Sequence, residues 1–571
     1  MKHNDTIFPL QLDLGNKLLI MDNPLTNNYF HVTPNPDDVP LDLYFLKSSV
    51  RLEPHIWGWY AWPQSICPTT ASLNIINRNI KLMESFISMP EIHKMAATNR
   101  SLMGGSFIDL DATFVPDVKR LLAEMKTNCQ DLVELAHAII ECDELLRNNA
   151  DGHSLEKLYS LVPDCLKGRI ELVYDSNNNP SVRFIEELFY DKYYNEAQQS
   201  LILTDTVDDH RPFVLSTPRI LTDRDLQLNI AFSDPKVDTL AKLRFNPMPL
   251  NEISSLFNLN EESNNKLKSM LTQTPPEKNN QNNFYKAGTR IRYFGHACVL
   301  LHTNKVSILL DPVVSYKYAS DKERYTLNDL PDSIDYVLFT HIHDDHVMFE
   351  TLLQLRFKVK YFVFPHNNMG FLLDPSLRLI LKNMGFTNLI SLGEFEKITL
   401  TDGFIAGIPF LGEHSDLNIH TKMGYIIQLH DKKYLFAADS NNLDNHLYQH
   451  IFAKFGPIDV LFIGMECVGA PLTWLYGPLL TFKIKNTHDQ SRRLSGSNFL
   501  KAWDIVKLAQ AREVYVYAMG QEPWLNYIMA LDYTDNTTKS IQLAESDKLI
   551  QACQENGILA ERLYLKKEWL F

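Results

Sequence analysis

Hydrophobic and polar positions alternate in short runs along most of the chain. In the first half, the pattern of two stretches predicts particular secondary-structure elements. Between residues 116 and 148 apolar side chains recur every three or four positions, which predicts helix. Apolar runs at 170–174 and 182–185 flank a polar turn rich in Asn, and this arrangement predicts a β-hairpin. The first half is therefore expected to be an α+β domain.

The pattern changes near the middle of the chain. Residues 273–283 are polar and rich in Pro and Asn, with too little apolar surface to bury themselves. From about Ala287 to the C-terminus, strand, turn and helix patterns follow one another. We therefore predict an N-terminal α+β domain over residues 1–272, a linker over 273–286 and a second domain over 287–571. Two domains also suit a chain of 571 residues.

An aromatic cluster marks the first domain. Trp57, Trp59, Tyr60 and Trp62 fall within six residues, and an exposed cluster of this kind would suggest a binding face. The commoner explanation, a core or a subunit interface, is favoured. Histidines in this half are scattered singly and are expected to be structural or surface groups, so no chemistry is predicted there.

Composition narrows the class of protein. Apolar content of 45% and charged content of 22% are typical of a soluble globular protein, and a net charge of −14 argues against a nucleic-acid partner. No secretory signal is visible, and no apolar run approaches the roughly 20 residues needed to span a membrane. The seven cysteines are scattered and odd in number, which favours reduced thiols and a cytoplasmic location.

The densest chemistry lies at residues 340–346, directly after the apolar run 336–339. His341, His343, Asp345 and His346 place three imidazoles and a carboxylate within six residues, all of them metal-ligand side chains. On extended backbone His341 and His343 point to the same side, and the other two follow a turn towards a second ion. A solvated charged loop is the less favoured alternative, because 19 histidines in 571 residues rarely crowd in this way.

Further ligands are expected at later strand ends. The apolar run 404–410 leads to Glu413 and His414, and the run 434–438 leads to Asp439. Glu413 and His414 are adjacent and would point opposite ways on a strand, so only one of them is expected to be a ligand. His414 would give a nitrogen-rich site suited to zinc hydrolysis, whereas Glu413 would give a harder site suited to iron and O2.

The spacing His-x-His-x-Asp-His resembles the metal-binding signature of the metallo-β-lactamase superfamily, and 293–301 and 307–312 resemble its opening strands. This resemblance implies an αββα sandwich with metals at one edge, and Asp439 as a bridging ligand. Superfamily hydrolases usually end with another ligand histidine after a late strand. Here the strand-like run 513–518 is followed by no histidine, which leaves a position open for oxygen unless His488 fills it.

The intervals from His341 to Glu413 and from Glu413 to Asp439 narrow the likeness further. They resemble those of the diiron β-hydroxylases of antibiotic biosynthesis, in which a glutamate replaces the usual histidine. That resemblance covers nearly the whole chain, including an N-terminal α+β domain used in dimerisation. It implies one iron held by His341, His343 and Glu413, a second held by Asp345 and His346, and Asp439 between the two.

The family resemblance also implies an activity and its partners. The expected reaction is O2-dependent hydroxylation of the β-carbon of an amino acid held as a thioester on the thiolation (peptidyl carrier) domain of a nonribosomal peptide synthetase. A homodimer is expected. An external electron donor is needed, because the sequence has no Gly-rich flavin or nicotinamide fingerprint. Since the chain is acidic overall, a local basic patch such as Arg492 and Arg493 would have to attract the acidic carrier.

Three more residues are expected near the site. Glu466 follows the apolar run 460–463 and is predicted to lie at the site edge as a hydrogen-bond partner or substrate contact, with a surface-loop glutamate as the alternative. His296 is expected near the site in the fold, with simple packing as the alternative to a role there, and Asp311 is expected to orient a ligand histidine or close a turn.

Two rival functions remain at this level. One is a dinuclear zinc hydrolase of the same fold that acts on an ester, lactone or phosphodiester. The other is a non-enzymatic binding module, which a complete ligand set at strand ends disfavours. The fold alone does not distinguish the hydroxylase, the zinc hydrolase and the binding module.

Overall fold

The structure is a computed structural model of the whole chain, and it describes residues 42–99, 102, 104–277, 281–529 and 540–571. Predictions about the N-terminal 41 residues, including the absence of a secretory signal, lie outside the described residues. The same holds for 278–280 in the predicted linker. No helix in the described part is both long enough and apolar enough to cross a bilayer.

The first part of the chain forms three small antiparallel sheets among its described residues. Their strand orders are β3-β2-β6-β7, β8-β1-β9 and β4-β5. The predicted hairpin is confirmed as the pair β4 and β5. The strands are β1 (Leu43–Leu46), β2 (Val50–Ile56), β3 (Trp59–Tyr60), β4 (Ile170–Tyr174), β5 (Pro180–Phe184), β6 (Gln199–Asp205), β7 (Leu226–Asn229), β8 (Met248–Pro249) and β9 (Leu271–Thr272).

Helices pack around these sheets. The helical prediction for 116–148 is confirmed, but the segment is two helices with a break at Cys129. A π-helix (Ile75–Asn79) interrupts the early helices, and short 3-10 turns lie at Ala112–Phe114, Leu155–Ser160 and Glu196–Gln198. The α-helices are α1 (Pro63–Ile66), α2 (Pro68–Asn74), α3 (Ile80–Ser88), α4 (Pro90–Ala97), α5 (Val115–Asn128), α6 (Gln130–Asn149), α7 (Glu187–Tyr193), α8 (Pro235–Lys242), α9 (Leu250–Leu256) and α10 (Glu261–Ser269).

The aromatic cluster is part of the core of this region. Trp59, Tyr60 and Trp62 are buried, and the two tryptophans belong to the hydrophobic cluster that includes residues of α5 and α6. Trp57 is partly buried and packs against the same cluster. Burial of large aromatic side chains supplies much of the hydrophobic stabilisation of a domain. The prediction of a core is therefore confirmed.

The second part contains two mixed sheets of seven strands each, with orders β15-β14-β13-β12-β11-β10-β23 and β16-β17-β18-β19-β20-β21-β22. The strands are β10 (Arg290–Gly295), β11 (Cys298–His302), β12 (Ser307–Leu310), β13 (Ile334–Leu338), β14 (Val359–Pro365), β15 (Leu389–Leu392), β16 (Lys397–Leu400), β17 (Gly403–Ile408), β18 (Gly424–Leu429), β19 (Lys432–Phe436), β20 (Val460–Gly464), β21 (Glu513–Tyr517), β22 (Leu559–Arg562) and β23 (Lys567–Leu570).

Two layers of helix enclose the sheets. One hydrophobic cluster fills the space between them, and others pack helices against their outer faces. Short 3-10 turns lie at Leu327–Asp329, Arg356–Lys358, Gly477–Leu479 and Pro523–Leu525. The helices are α11 (Phe349–Leu355), α12 (Leu377–Asn383), α13 (Asn445–Phe455), α14 (Leu472–Leu475), α15 (Asn486–Ser491), α16 (Phe499–Ala509), α17 (Asn526–Met529) and α18 (Ile541–Glu555).

The predicted fold class, an α+β domain followed by an αββα metallo-β-lactamase-fold domain, is confirmed by this architecture. The central strands are buried on both faces, which explains the near-continuous apolar runs in the sequence. Between Thr272 and Arg290 the described residues form no helix or strand. The exact boundaries of the linker stay a prediction.

A buried ion pair joins the two domains. Arg211 of the first domain places its Nη2 atom 2.6 Å from Glu53 Oε1 on β2 and 2.8 Å from Glu350 Oε2 on α11 of the second domain. All three side chains are less than a tenth exposed, and the Arg211 guanidinium stacks 3.5 Å from the centre of the Tyr527 ring. Arg51 and Arg219 also pair with Glu53, at 3.0 Å and 3.1 Å, so removal of Arg211 would leave Glu350 as the buried carboxylate without its salt-bridge partner.

We therefore expect Arg211→Met to lower the free energy of unfolding by about 3–5 kcal/mol, the range for breaking a buried pair. The matched control is Arg183→Met, because Arg183 pairs with Glu171 at 3.0 Å with both side chains about half exposed. That change is expected to cost about 0–1 kcal/mol. Thermal melting followed by circular dichroism checks both variants, and equal midpoints would contradict the expectation.

Candidate metal centre

The signature loop begins where β13 ends and is held by Asp311 at the end of β12. The Thr340 backbone N–H donates to Asp311 Oδ1 over 2.8 Å, and the Thr340 hydroxyl donates to Oδ2 over 2.6 Å. His346 Nδ1 donates to the same Oδ2 atom over 2.9 Å. Asp311 therefore fixes which nitrogen of His346 carries the proton and leaves Nε2 free to bind a metal. Of the two expected roles, this is the orientation of a ligand histidine.

His341, His343 and Glu413 form one cluster, in which one possible ligand atom from each residue lies within 4.8 Å of the others. His343 Nδ1 is 2.9 Å from Glu413 Oε1, and the rings of His341 and His343 are 4.7 Å apart. All three side chains are buried. The structure thus brings together the three residues that the sequence assigned to one metal.

Asp439 lies between this cluster and its neighbour. Its Oδ2 atom is 3.2 Å from His346 Nε2 and 3.9 Å from His341 Nε2, so one carboxylate faces both halves of the site. Asp345 Oδ2 is 3.7 Å from His346 Nε2. This placement suits the bridging role expected for Asp439.

His296 is more than a packing residue. Its Nε2 atom is 3.1 Å from Asp345 Oδ2, and His296, Asp345 and His346 form a third group with metal-ligand spacing. His296 lies near the site, as expected, and its contact with Asp345 argues against a packing role alone, because the turn between β10 and β11 aims the ring at the site. The signal in the sequence is weak, since a single histidine after a strand is common.

The geometry at Glu413 and His414 differs from the expectation. The two residues were expected to point opposite ways on a strand, but β17 ends at Ile408 and Glu413 adopts a left-handed conformation with φ of 64°. Both side chains therefore face the site, with His414 Nδ1 2.7 Å from Glu413 Oε2. Glu413 belongs to a ligand cluster with His341 and His343, whereas His414 belongs to none among the described residues.

Several strand ends around the site carry residues in the left-handed region of backbone space. Asp311, Ala438 and Ala518 have φ values of 38°, 46° and 53° and follow β12, β19 and β21. His296 has φ of 50°. Non-glycine residues rarely adopt this conformation, which costs of order 1–3 kcal/mol each and tends to cluster at functional sites. The backbone is therefore bent sharply to turn side chains into one space.

That space is a cavity of about 300 Å³ whose lining includes His343, Asp345, Glu413, Asp439 and Glu466. Glu466 is partly buried, and burial raises its pKa well above the usual range, with the charges of Asp439, Asp345 and Glu413 adding to the effect. Burial also raises the pKa of Asp439. The predicted position of Glu466 at the site edge is consistent with this lining.

The donor set fits two divalent metal ions. Nε2 of His341 and Oδ1 of Asp439 are buried without a hydrogen-bond partner among the described residues, as is Nε2 of His414. Buried polar atoms are rarely left unpaired, and a bound cation would satisfy them and offset the crowded carboxylates. Carboxylate oxygens are hard ligands and imidazole nitrogens are borderline ones, and their combination is found in non-haem iron sites.

The sequence after β21 contains no histidine. His488 is exposed on α15 and does not line the cavity, so the alternative in which it is a substitute ligand has no support. Tyr476 was not predicted from the sequence, and its hydroxyl is 3.1 Å from His343 Nε2. No local pattern could have found it, because it lies 133 residues from its partner.

Two family models match the chain. The model described as the N-terminal domain of diiron non-heme β-hydroxylases matches residues 45–275, and that of the β-lactamase superfamily domain matches residues 290–494. The chain is 34% identical over 540 residues to the 4-amino-L-phenylalanyl-[CmlP-peptidyl-carrier-protein] 3-hydroxylase of Streptomyces venezuelae. This match covers 92% of the chain and 99% of that protein.

Solved structures agree with these matches. The crystal structure of CmlA, a diiron β-hydroxylase from Streptomyces venezuelae, matches with a TM-score of 0.86 at 34% identity, covering 93% of this chain and 99% of that one. A mutant of the CmlA β-hydroxylase matches with a TM-score of 0.84 at 33% identity, covering 92% and 100%. From this likeness along almost its whole length, the chain belongs to the family of diiron non-heme β-hydroxylases with a metallo-β-lactamase-fold domain.

Proposed function

We propose that this protein is an O2-dependent diiron monooxygenase that hydroxylates the β-carbon of an amino acid tethered as a thioester to a peptidyl carrier domain. The observation that carries the proposal is the clustering of Glu413 with His341 and His343, which makes the donor set rich in carboxylates. The relative from Streptomyces venezuelae is named as a hydroxylase of a carrier-bound amino acid, which supports the same class of substrate.

The proposed ligands are drawn from the observed clusters, without His296. His341, His343 and Glu413 would hold one iron, Asp345 and His346 would hold the second, and the Asp439 carboxylate faces both groups. When bound, the two irons supply the activation of O2. One oxygen atom enters the C–H bond to give C–OH, and the other leaves as water with two protons and two electrons from an external donor.

The protein's own residues shape this chemistry. Asp311 holds His346 in one tautomer, so that Nε2 faces the site. Glu466 lines the cavity beside the ligands, where its carboxyl group is placed to contact the substrate or a ligand. We propose Glu466 as a catalytic residue on this placement.

The cavity also suits an anionic carrier arm. Arg493 is the single cation among its described lining residues, and its Nε and Nη1 atoms are fixed by Gly469 O and Gln490 Oε1 at 2.7 Å and 2.9 Å. A guanidinium fixed in this way presents its remaining N–H groups to a phosphate. This favours Arg493 as the contact for the phosphodiester of the carrier's arm. A homodimer and a cytoplasmic location complete the proposal.

The second candidate is a dinuclear zinc hydrolase of the same fold. It is favoured by one observation, the buried and unpaired Nε2 atom of His414 beside Glu413. If His414 replaced Glu413 as a ligand, the site would be nitrogen-rich and suited to zinc-activated water.

The first prediction from this proposed function concerns metal loading. Protein from iron-supplied cells is expected to contain about two irons per chain, and His341→Ala or His346→Ala is expected to lose both, because each faces the shared Asp439. Elemental analysis measures the loading. The exposed His446→Ala, which removes a histidine far from the clusters on α13, is the control and keeps full loading. Stoichiometric zinc with ester or lactone hydrolysis would point to the second candidate.

The next prediction separates Glu413 from His414. Glu413→Ala is expected to lose iron, because it removes a carboxylate 2.9 Å from His343 Nδ1. His414→Ala is expected to keep about two irons and measurable oxygen uptake. Iron content of the two purified variants, measured side by side, checks this. Retention of iron in the first variant with its loss in the second would favour the nitrogen-rich site.

A third prediction concerns the form of the substrate. The carrier-bound thioester is expected to be hydroxylated, and the free amino acid to be a poor substrate in turnover as well as affinity, because remote binding energy helps to position the reacting carbon. The readouts are oxygen uptake and a mass gain of one oxygen atom on the loaded carrier. Equal rates with both forms would mean that the carrier contributes nothing to catalysis.

A further inference from the structure

His343 has a distinct partner on each of its two ring nitrogens. Nδ1 faces Glu413 Oε1 at 2.9 Å, and Nε2 faces the Tyr476 hydroxyl at 3.1 Å. If Nδ1 binds a metal, the single proton of the neutral ring must lie on Nε2, where it can donate to the tyrosine oxygen. Partners of this kind fix both the tautomer and the orientation of a ligand ring.

Tyr476 is itself held by the first domain. It follows α14, is fully buried, and shares a hydrophobic cluster with Leu73 and Ile75 of the first domain. Arg78 Nη2 donates to the backbone carbonyls of Trp474 at 2.8 Å and Leu475 at 3.3 Å, directly before the tyrosine.

A second contact holds the other side of the same segment. Asn77 Nδ2 donates over 2.9 Å to the carbonyl of Pro478, two residues beyond Tyr476. Asn77 and Arg78 both lie in the π-helix Ile75–Asn79. π-helical turns are rare, and they are frequently found at functional sites. This one places two donors at the segment that carries the tyrosine.

We propose that Tyr476 is a positioning residue for the metal centre and that the π-helix of the first domain holds it in place. The hydroxyl oxygen accepts a hydrogen bond from the Nε2–H of His343. This orients Nδ1 towards the metal that His341 and Glu413 would also bind. Arg78 and Asn77 set the position of that hydroxyl. The first domain thereby acts on the centre, although none of the metal-ligand clusters among the described residues includes one of its side chains.

This inference rests on the proposed metal centre but not on the identity of the metal or the reaction. Tyr476→Phe removes one oxygen atom and leaves the ring. It is expected to weaken metal binding roughly 10- to 100-fold, the usual effect of losing such a partner. Competition titrations with a chelator measure this for Fe(II) and for Zn(II). The control is Tyr434→Phe, a buried tyrosine between the two sheets, which is expected to leave both affinities unchanged.

Mössbauer spectra of protein loaded with 57Fe test the assignment to one metal. Only one of the two iron signals is expected to change in Tyr476→Phe, because His343 belongs to only one cluster. A loss of affinity with Zn(II) but no iron loading would refute the oxygenase proposal and support this inference. Unchanged affinity for both metals, with both iron signals as in the unaltered protein, would overturn it.

The role of Arg78 is tested by a double-mutant cycle. Arg78 also interacts with the charge of Asp344 in the signature loop. Its removal can therefore affect the metal centre through Asp344 as well as through Tyr476. If Arg78 acts through Tyr476, Arg78→Met weakens metal binding in the unaltered protein but adds little in Tyr476→Phe. Full additivity would overturn this part of the proposal. If Arg78→Met fails to fold, Asn77→Ala takes its place in the same cycle.

Discussion

The buried negative charge at the edge of the two sheets is the constraint that organises this structure. Asp345, Glu413, Asp439 and Glu466 line one cavity, and like charges in a place of low dielectric constant repel strongly. Burial raises the pKa values of Asp439 and Glu466, and the charges of neighbouring carboxylates add to this effect. Cations bound among these carboxylates would offset the repulsion and the cost of burial, which favours a metal-bound form of the site.

The backbone changes direction sharply at the ends of the strands, and this turns the side chains of the site into one cavity. Central strands such as β12 and β20 are almost free of polar side chains, and residues that follow strands, such as Asp311, Glu413 and Ala438, adopt positive φ. Each of these conformations costs free energy, and the packed core between the sheets holds them in place. The result is that ligands from separate strands meet within a few ångströms without a long loop between them.

The sequence predicted those parts of the site that depend on local order. His341, His343, Asp345 and His346 lie in one short loop, so their spacing alone revealed them. The choice between Glu413 and His414 depended on backbone geometry after β17, and alternation on a strand was the wrong guide because that strand had already ended.

The remaining parts depend on contacts that no local pattern encodes. Tyr476 reaches the site from a distant element and is a single residue in an ordinary stretch of sequence, and the contact of His296 with Asp345 likewise joins residues 49 positions apart. The fold class followed from apolar runs and the signature loop, because periodicity records which faces are buried. The interface between the two domains could not be predicted from such patterns, since Arg211 and Glu350 are 139 residues apart and only the folded chain brings them together.

That interface gives the first domain a physical connection to the metal centre through two separate elements. Arg211 forms an ion pair with Glu350, which lies four residues beyond His346 in the chain. Arg78 holds the backbone that precedes Tyr476, which contacts His343. A catalytic geometry tolerates little displacement, and shifts of about 1 Å can reduce rates 100-fold. A domain that holds the Glu350 side chain on α11 and the backbone before Tyr476 therefore limits the movement of the loop that carries His343 and His346, and its packing contributes to the geometry of the candidate metal centre.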